Sequence, residues 1–289
     1  MNAEQSQQAV LRILDSVRDV PTLPAVAMRA VEISNDDDSS AKELGDFIAQ
    51  DPALTTKLLT LVNAAQYGVS GKVATVSRAI VIMGFAKVRN IILSSATANI
   101  FTGTSDCLNR TRVWEHSVAT ATAARLLAKH AAGVDPETAY VAGLLHEVGI
   151  AILDRYFHEP LRIAILTGAT QHLPIDQVLR ATLGLDQFRV GAYLAQRWRL
   201  PLPLCSAIAM HNYPPANDRH SALIATVHVA SLIADACKLT YDAHAAKKPI
   251  GSNAITLLQI TPAKIQGLAE ELNKQRRHIE EFAALCNSL

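Results

Sequence analysis

Six residues in this chain have side chains able to do metal or phosphate chemistry at suggestive places: His116, the adjacent pair His146-Glu147, the adjacent pair His211-Asn212, and Asp235. Imidazole and carboxylate donors brought from several helices to one cavity can hold a divalent cation. Such a cation lowers the pKa of a bound water and neutralises a phosphate under attack. Taken singly, each histidine reads first as a partly buried, hydrogen-bonded residue, and Asp235 as a cap or an ion-pair partner; it is their shared order that points to a site. Adjacent helical residues point about 100° apart, so His146 and Glu147 reach one cavity together only if a helix end is aimed into it.

The elements that must position these residues are helical in period throughout, which predicts an all-α protein. Helices are expected over 24–33, 41–49, 52–64, 77–85 and 86–100, and then over 111–131, 136–153, 159–170, 174–183, 186–197, 203–211 and 222–238. Asp51 followed by Pro52 marks a helix start, with a capping carboxylate before a proline at the first helical position. Leu54, Leu58, Leu61 and Val62 then share one face. The acidic run Asp36 to Asp38 reads as a solvated loop leading into the next helix. The run Ala119-Thr120-Ala121-Thr122-Ala123-Ala124 is small enough for helices to approach closely. From Pro262 on, Ile265, Leu268, Leu272, Ile279 and Phe282 recur at helical steps interrupted by Gln275. This predicts an amphipathic helix that docks on the protein's own body or forms a short homodimer contact.

The polar stretch Thr102 to Asp106 divides the chain. The expected organisation is an N-terminal helical lobe over 1–105, a helical bundle over 106–240, and a loop with an amphipathic helix over 241–289. Composition excludes several classes. With 49% hydrophobic and 18% charged residues and no long apolar run, the chain reads as globular, without a membrane span. No secretory signal is visible at the N-terminus, so a cytoplasmic location is expected. A net charge of +1 gives no field for nucleic acid or an anionic membrane. Cys107, Cys205, Cys237 and Cys286 form no paired spacing and read as reduced packing residues. The phosphate-binding and nucleophile-elbow glycine motifs are absent from the sequence.

One block is more than a good helix. The order Asp51-Pro52-Ala53-Leu54, Leu61-Val62-Asn63-Ala64-Ala65, Tyr67-Gly68, Ile80-Val81-Ile82-Met83-Gly84 and Val88-Arg89-Asn90-Ile91 resembles the HDOD family. The resemblance covers roughly residues 10 to 240. It implies a multi-helix HD-like bundle with an N-terminal helical lobe, a regulatory offshoot of the HD superfamily of metal-dependent phosphohydrolases.

Carried over position by position, the resemblance implies that His116, His146, Glu147 and Asp235 correspond to the superfamily's metal ligands, for zinc, iron or manganese. Gln187, His211 and Asn212 become cavity or ligand-binding candidates. Glu147 stands where the superfamily has Asp, which moves the carboxylate by roughly one C–C bond length, about 1.5 Å. Gln187 stands where dimetal members have His, and His211-Asn212-Tyr213-Pro214 keeps one His of a usual pair. The resemblance therefore implies a signal-transduction module that works through partners in two-component or cyclic-dinucleotide circuits. The alternative is an active metal-dependent phosphohydrolase on a nucleotide or phosphate ester. Trp198 matches the family's Trp-x-Leu-Pro segment and is expected to pack.

Overall fold

The computed structural model describes residues 12, 14, 15, 29, 41–63, 72–241 and 250–288, and among them all regular structure is helical, as the periodicity predicts. Apart from Arg29, the expected helix over 24–33, and with it the acidic run Asp36 to Asp38 and the Tyr67-Gly68 element, lie outside the described residues. Contacts divide the chain into two units, Leu23–Asn99 with Asn273–Leu289, and Met1–Thr22 with Ile100–Leu272. Among the described residues no single helix is long and apolar enough to cross a membrane.

The smaller unit contains α1 (Ala41–Ala49), α2 (Pro52–Val62), α3 (Val76–Met83), α4 (Phe85–Ala98) and the terminal helix, here named α15 (Arg276–Ser288). Asp51 caps α2 as expected, its Oδ1 accepting the Leu54 amide at 3.0 Å. Leu58, Leu61 and Val62 are buried, whereas Leu54 is only half-buried. Asn63 closes the same helix: its amide nitrogen donates to Leu59 O at 2.7 Å and Val73 O at 2.9 Å, and its oxygen accepts the Val73 amide at 2.8 Å. That side chain satisfies backbone groups of Leu59 and Val73 that would otherwise need water. Gly84 sits at φ +84° between α3 and α4, which meet at a 118° bend. A side chain is strained in that conformation, so glycine at the corner follows from backbone sterics.

The larger unit holds α5 (Arg110–Ala128), α6 (Pro136–Leu145), α7 (Val148–Tyr156), α8 (His158–Gln171), α9 (Ile175–Leu183), α10 (Gln187–Arg197), α11 (Leu202–Met210), α12 (Ser221–Ala236), α13 (Ser252–Leu258) and α14 (Pro262–Lys274), the last as far as Leu272. Helix α5 packs against α6 and α12. Its run from Ala119 to Ala124 is buried throughout, the close-packing surface its small side chains predict. Helices α7 and α10 cross at Gly149 and Gly191. A Cβ on Gly149 would lie 1.9 Å from the Gln187 carbonyl oxygen, so only hydrogen fits there. Trp198 is buried at the end of α10, in the packing role expected. The Tyr193 hydroxyl donates to Asp15, and Arg197 donates to Leu14 O at 3.1 Å.

Two expected helices are broken. The segment 136–153 is two helices, with His146 ending one and Glu147 starting the next. The segment from Pro262 on is likewise two, parted at Gln275. Leu268, Leu272, Ile279 and Phe282 are buried, so the predicted stripe docks on the chain itself.

Candidate functional site

The break between α6 and α7 creates the site. His146, with φ −58° and ψ −29°, is the last turn of one helix; Glu147, with φ −105° and ψ 14°, opens the next. This is the helix end that brings two adjacent residues into one cluster. The His146 ring is buried, and its Nε2 lies 3.9 Å from Glu147 Oε1. Helix α11 ends at His211, whose ring packs edge-on against His146 with centroids 4.9 Å apart and against Phe188 at 4.8 Å. One ligand atom from each of His146, Glu147 and His211 can be chosen so that all lie within 4.8 Å of one another.

Main-chain carbonyls fix how these rings face. His146 Nδ1 is 2.7 Å from Gly143 O, and His211 Nδ1 is 3.2 Å from both Ala207 O and Ile208 O. A carbonyl only accepts, so each Nδ1 carries a hydrogen and donates; in the neutral ring Nε2 is left with its lone pair. His116, on α5, repeats the arrangement: Nδ1 donates to Leu239 O at 2.7 Å, and Nε2 faces the hydroxyls of Ser231 at 3.3 Å and Thr120 at 3.4 Å. Its ring centroid is 5.2 Å from that of His146.

The four residues carried over as metal ligands are not placed alike. His116, His146 and Glu147 are neighbours, whereas Asp235 on α12 is half-buried and approaches His116 at its Nδ1 edge, 3.6 Å away. His211, expected as a cavity residue, is the one that groups with His146 and Glu147. All of them except His146 line a cavity of about 830 Å³ that also takes in Gln187, Asn212, His228, Tyr241 and residues of α14 such as Ile265 and Ala269. Gln187 is 5% exposed, and its Oε1 has no hydrogen-bond partner among the described residues. Asp176, also on the wall, is engaged by Arg180 at 2.5 Å and by the Tyr213 hydroxyl at 3.0 Å; Arg180 also reaches Asp186. Sequence reasoning passed over His228 and Ser231, because a buried histidine or serine on an apolar helix carries no local motif.

The sequence model of the HDOD domain matches residues 20–214, more than half of the chain, and the chain belongs to this family. It is 29% identical over 231 residues to a protein of Treponema pallidum (strain Nichols) named only as uncharacterized; the match takes in 79% of this chain and 44% of that one. The chain thus spans less than half the length of that curated relative. Among solved structures, an HDOD domain protein with unknown function from Geobacter sulfurreducens aligns over 98% of both chains with a TM-score of 0.80 and 24% identity. A protein from Shewanella amazonensis SB2B named as a candidate phosphohydrolase aligns over 97% of this chain and 98% of its own, with a TM-score of 0.75 and 24% identity. One from Marinobacter aquaeolei VT8, named as a candidate signal transduction protein, aligns over 98% of this chain and 65% of its own with a TM-score of 0.81 and 18% identity. At such identities these likenesses speak to the fold, an all-α HD-like bundle.

Proposed function

We propose that this member of the HDOD family is a regulatory binding module of bacterial signal transduction, an HD-like core that acts through partner proteins and has given up hydrolysis. The partners are signalling proteins of two-component or cyclic-dinucleotide circuits. The observation that carries this reading is Gln187. A buried neutral amide faces the cavity where dimetal relatives have an imidazole, and its Oε1 lacks a hydrogen-bond partner among the described residues. An amide is a poor ligand for a transition metal and a good one for a polar ligand group. Asp235 adds to this, since it meets His116 on the Nδ1 edge rather than beside Nε2.

A second reading rests on a separate observation, the carbonyl-fixed rings. His146, Glu147 and His211 fit a single divalent cation by donor type, burial and mutual distance. The longer arm of Glu147 still reaches the Nε2 side of His146. When bound, such an ion would lower the pKa of a water and polarise a phosphoryl oxygen. The residues' own part is to orient: Gly143 O holds one ring, Ala207 O and Ile208 O the other.

Elemental analysis of protein purified without chelator, beside His116→Ala/His146→Ala, separates the two, together with turnover of p-nitrophenyl phosphate. The binding-module reading expects no turnover that depends on His146. Near-stoichiometric transition metal lost in the double variant, with turnover lost alongside it, would replace that reading with the phosphohydrolase.

A further inference from the structure

A second set of metal-ligating side chains converges outside the cavity. The segment leading into α5 brings Asp106 and Cys107 to His158, the first residue of α8, so that one ligand atom from each can be chosen with all three within 4.8 Å of one another. His158 Nε2 lies 2.7 Å from Asp106 Oδ1, and its Nδ1 lies 3.0 Å from Asp154 Oδ1. Cys107 Sγ is 3.8 Å from His158 Nδ1 and 3.5 Å from Asp154 Oδ1.

Asp154, near the end of α7, is buried, and it is fixed by Arg110 Nε at 2.5 Å and the Ser105 hydroxyl at 2.8 Å. A carboxylate behind one imidazole nitrogen, with the other nitrogen turned outward, is how proteins orient a histidine for a metal. Asp106, by contrast, is well exposed, so the site is open to solvent. We propose that Asp106, Cys107 and His158 form a surface site for one divalent cation of zinc type, with Asp154 as the outer partner that aims the imidazole.

Thiolate, imidazole and carboxylate are the donor set such an ion prefers, with water in the remaining position. The protons balance. Without the cation, His158 donates from both nitrogens and is an imidazolium, Cys107 is a thiol, and Arg110 completes the set. The charges of Asp106, Asp154, Arg110 and His158 then cancel. On binding, the Nε2 proton and the thiol proton pass to solvent while the Nδ1 proton stays on His158, donated to Asp154. A doubly charged ion thus replaces two protons at constant net charge. Cys107 turns from Asp154 to the ion, and the Asp106–His158 hydrogen bond opens to admit it. Glu159 and Arg162, at the rim beside His158, pair with each other at 2.8 Å and leave that balance unchanged. Burial, together with the Asp154 carboxylate, pushes the Cys107 thiol above its usual range, a proton the ion must displace in order to bind.

Cobalt(II) titrated into the chelator-treated full chain tests this, because cobalt bound by a thiolate gives a sulfur-to-metal charge-transfer band in the near ultraviolet. The parent should develop the band, and equimolar zinc should abolish it. Cys107→Ser should lose it while keeping the parent's circular dichroism and melting temperature. Asp106→Asn, exposed and fold-neutral, should weaken cobalt binding by at least the roughly tenfold that even an outer partner is worth. His146→Ala should retain the band, which keeps this site distinct from the cavity. No band in the parent at saturating cobalt, or a band that persists in Cys107→Ser, would overturn the proposal.

Discussion

The cavity cluster and the surface cluster both hold histidines by a hydrogen bond at Nδ1, yet the acceptors differ in charge. In the cavity, His116, His146 and His211 give their Nδ1 hydrogens to main-chain carbonyls. At the surface, His158 gives both of its hydrogens to carboxylates. A carbonyl fixes the ring's orientation without calling for a positive charge. A carboxylate does both, and hydrogen bonding to Asp154, reinforced by Asp106, pushes His158 above its usual 6.5. The same side chain is thereby set as a lone-pair donor in one place and as a proton store in the other.

The largest break in this comparison should come from Asp154→Ala, which leaves the largely buried guanidinium of Arg110 with the Thr102 carbonyl but without its carboxylate. Removing one member of a buried pair costs about 3–5 kcal/mol, read as a fall in the urea midpoint. A loss of under about 1 kcal/mol, the scale of a surface pair, would mean the cluster is solvated after all. Gly149→Ala attacks the other side, forcing a methyl group onto the Gln187 backbone; overpacking of this kind costs about 3 kcal/mol. The cavity should lose its shape while His158 keeps its titration, a pair of readings that NMR of the histidine ring protons gives in one sample. Asp135→Ala is milder. It removes the cap that accepts the Thr138 amide at 2.7 Å, at the start of the helix that ends in His146. The expected loss is about 1 kcal/mol in thermal denaturation.

The smallest effect is in pH. Burial pushes the Asp154 carboxyl up, but hydrogen bonds from Arg110, Ser105 and His158 outweigh it and hold it below 3.8. With a depressed folded value, its contribution is complete above 3.8 and lost as pH falls below that toward and through the folded value. His158 is raised, so its contribution is complete below 6.5 and fades as pH rises through the folded value. The surface cluster therefore holds tightest between these two limits. A His158 ring titrating at or below 6.5 would remove the contrast between the two clusters.

Local chemistry made much of this fold readable. Asp51 before Pro52 announced a helix start, because a cap needs only its own neighbours. The family signature gave the architecture, and the order of His116, His146-Glu147 and His211 pointed to the cavity that the fold builds. The helix break at His146-Glu147 was not legible, since both flanks are apolar and the periodicity runs through it; a corner buried on both sides leaves no polar punctuation. Gln275 did show as an interruption, but not that the chain would resume as a second helix. Cys107 and His158 were passed over for another reason. They lie 51 positions apart, and their meeting is set by how α7 and α8 follow one another, which spacing alone does not encode. The only local trace was Asp154 four residues before His158, the interval that stacks two helical side chains.

Helix α7 carries Glu147 at its first end and Asp154 near its last. Seven residues at the helical rise place them on the order of 10 Å apart, joined by a rod with no loop between. That rod makes the surface cluster a fixed ruler for the cavity. A paramagnetic ion seated by Cys107 and His158 would stand at one constant distance from whatever enters beside Glu147. Line broadening in the NMR spectrum of a bound small molecule would then report where in the cavity it lies.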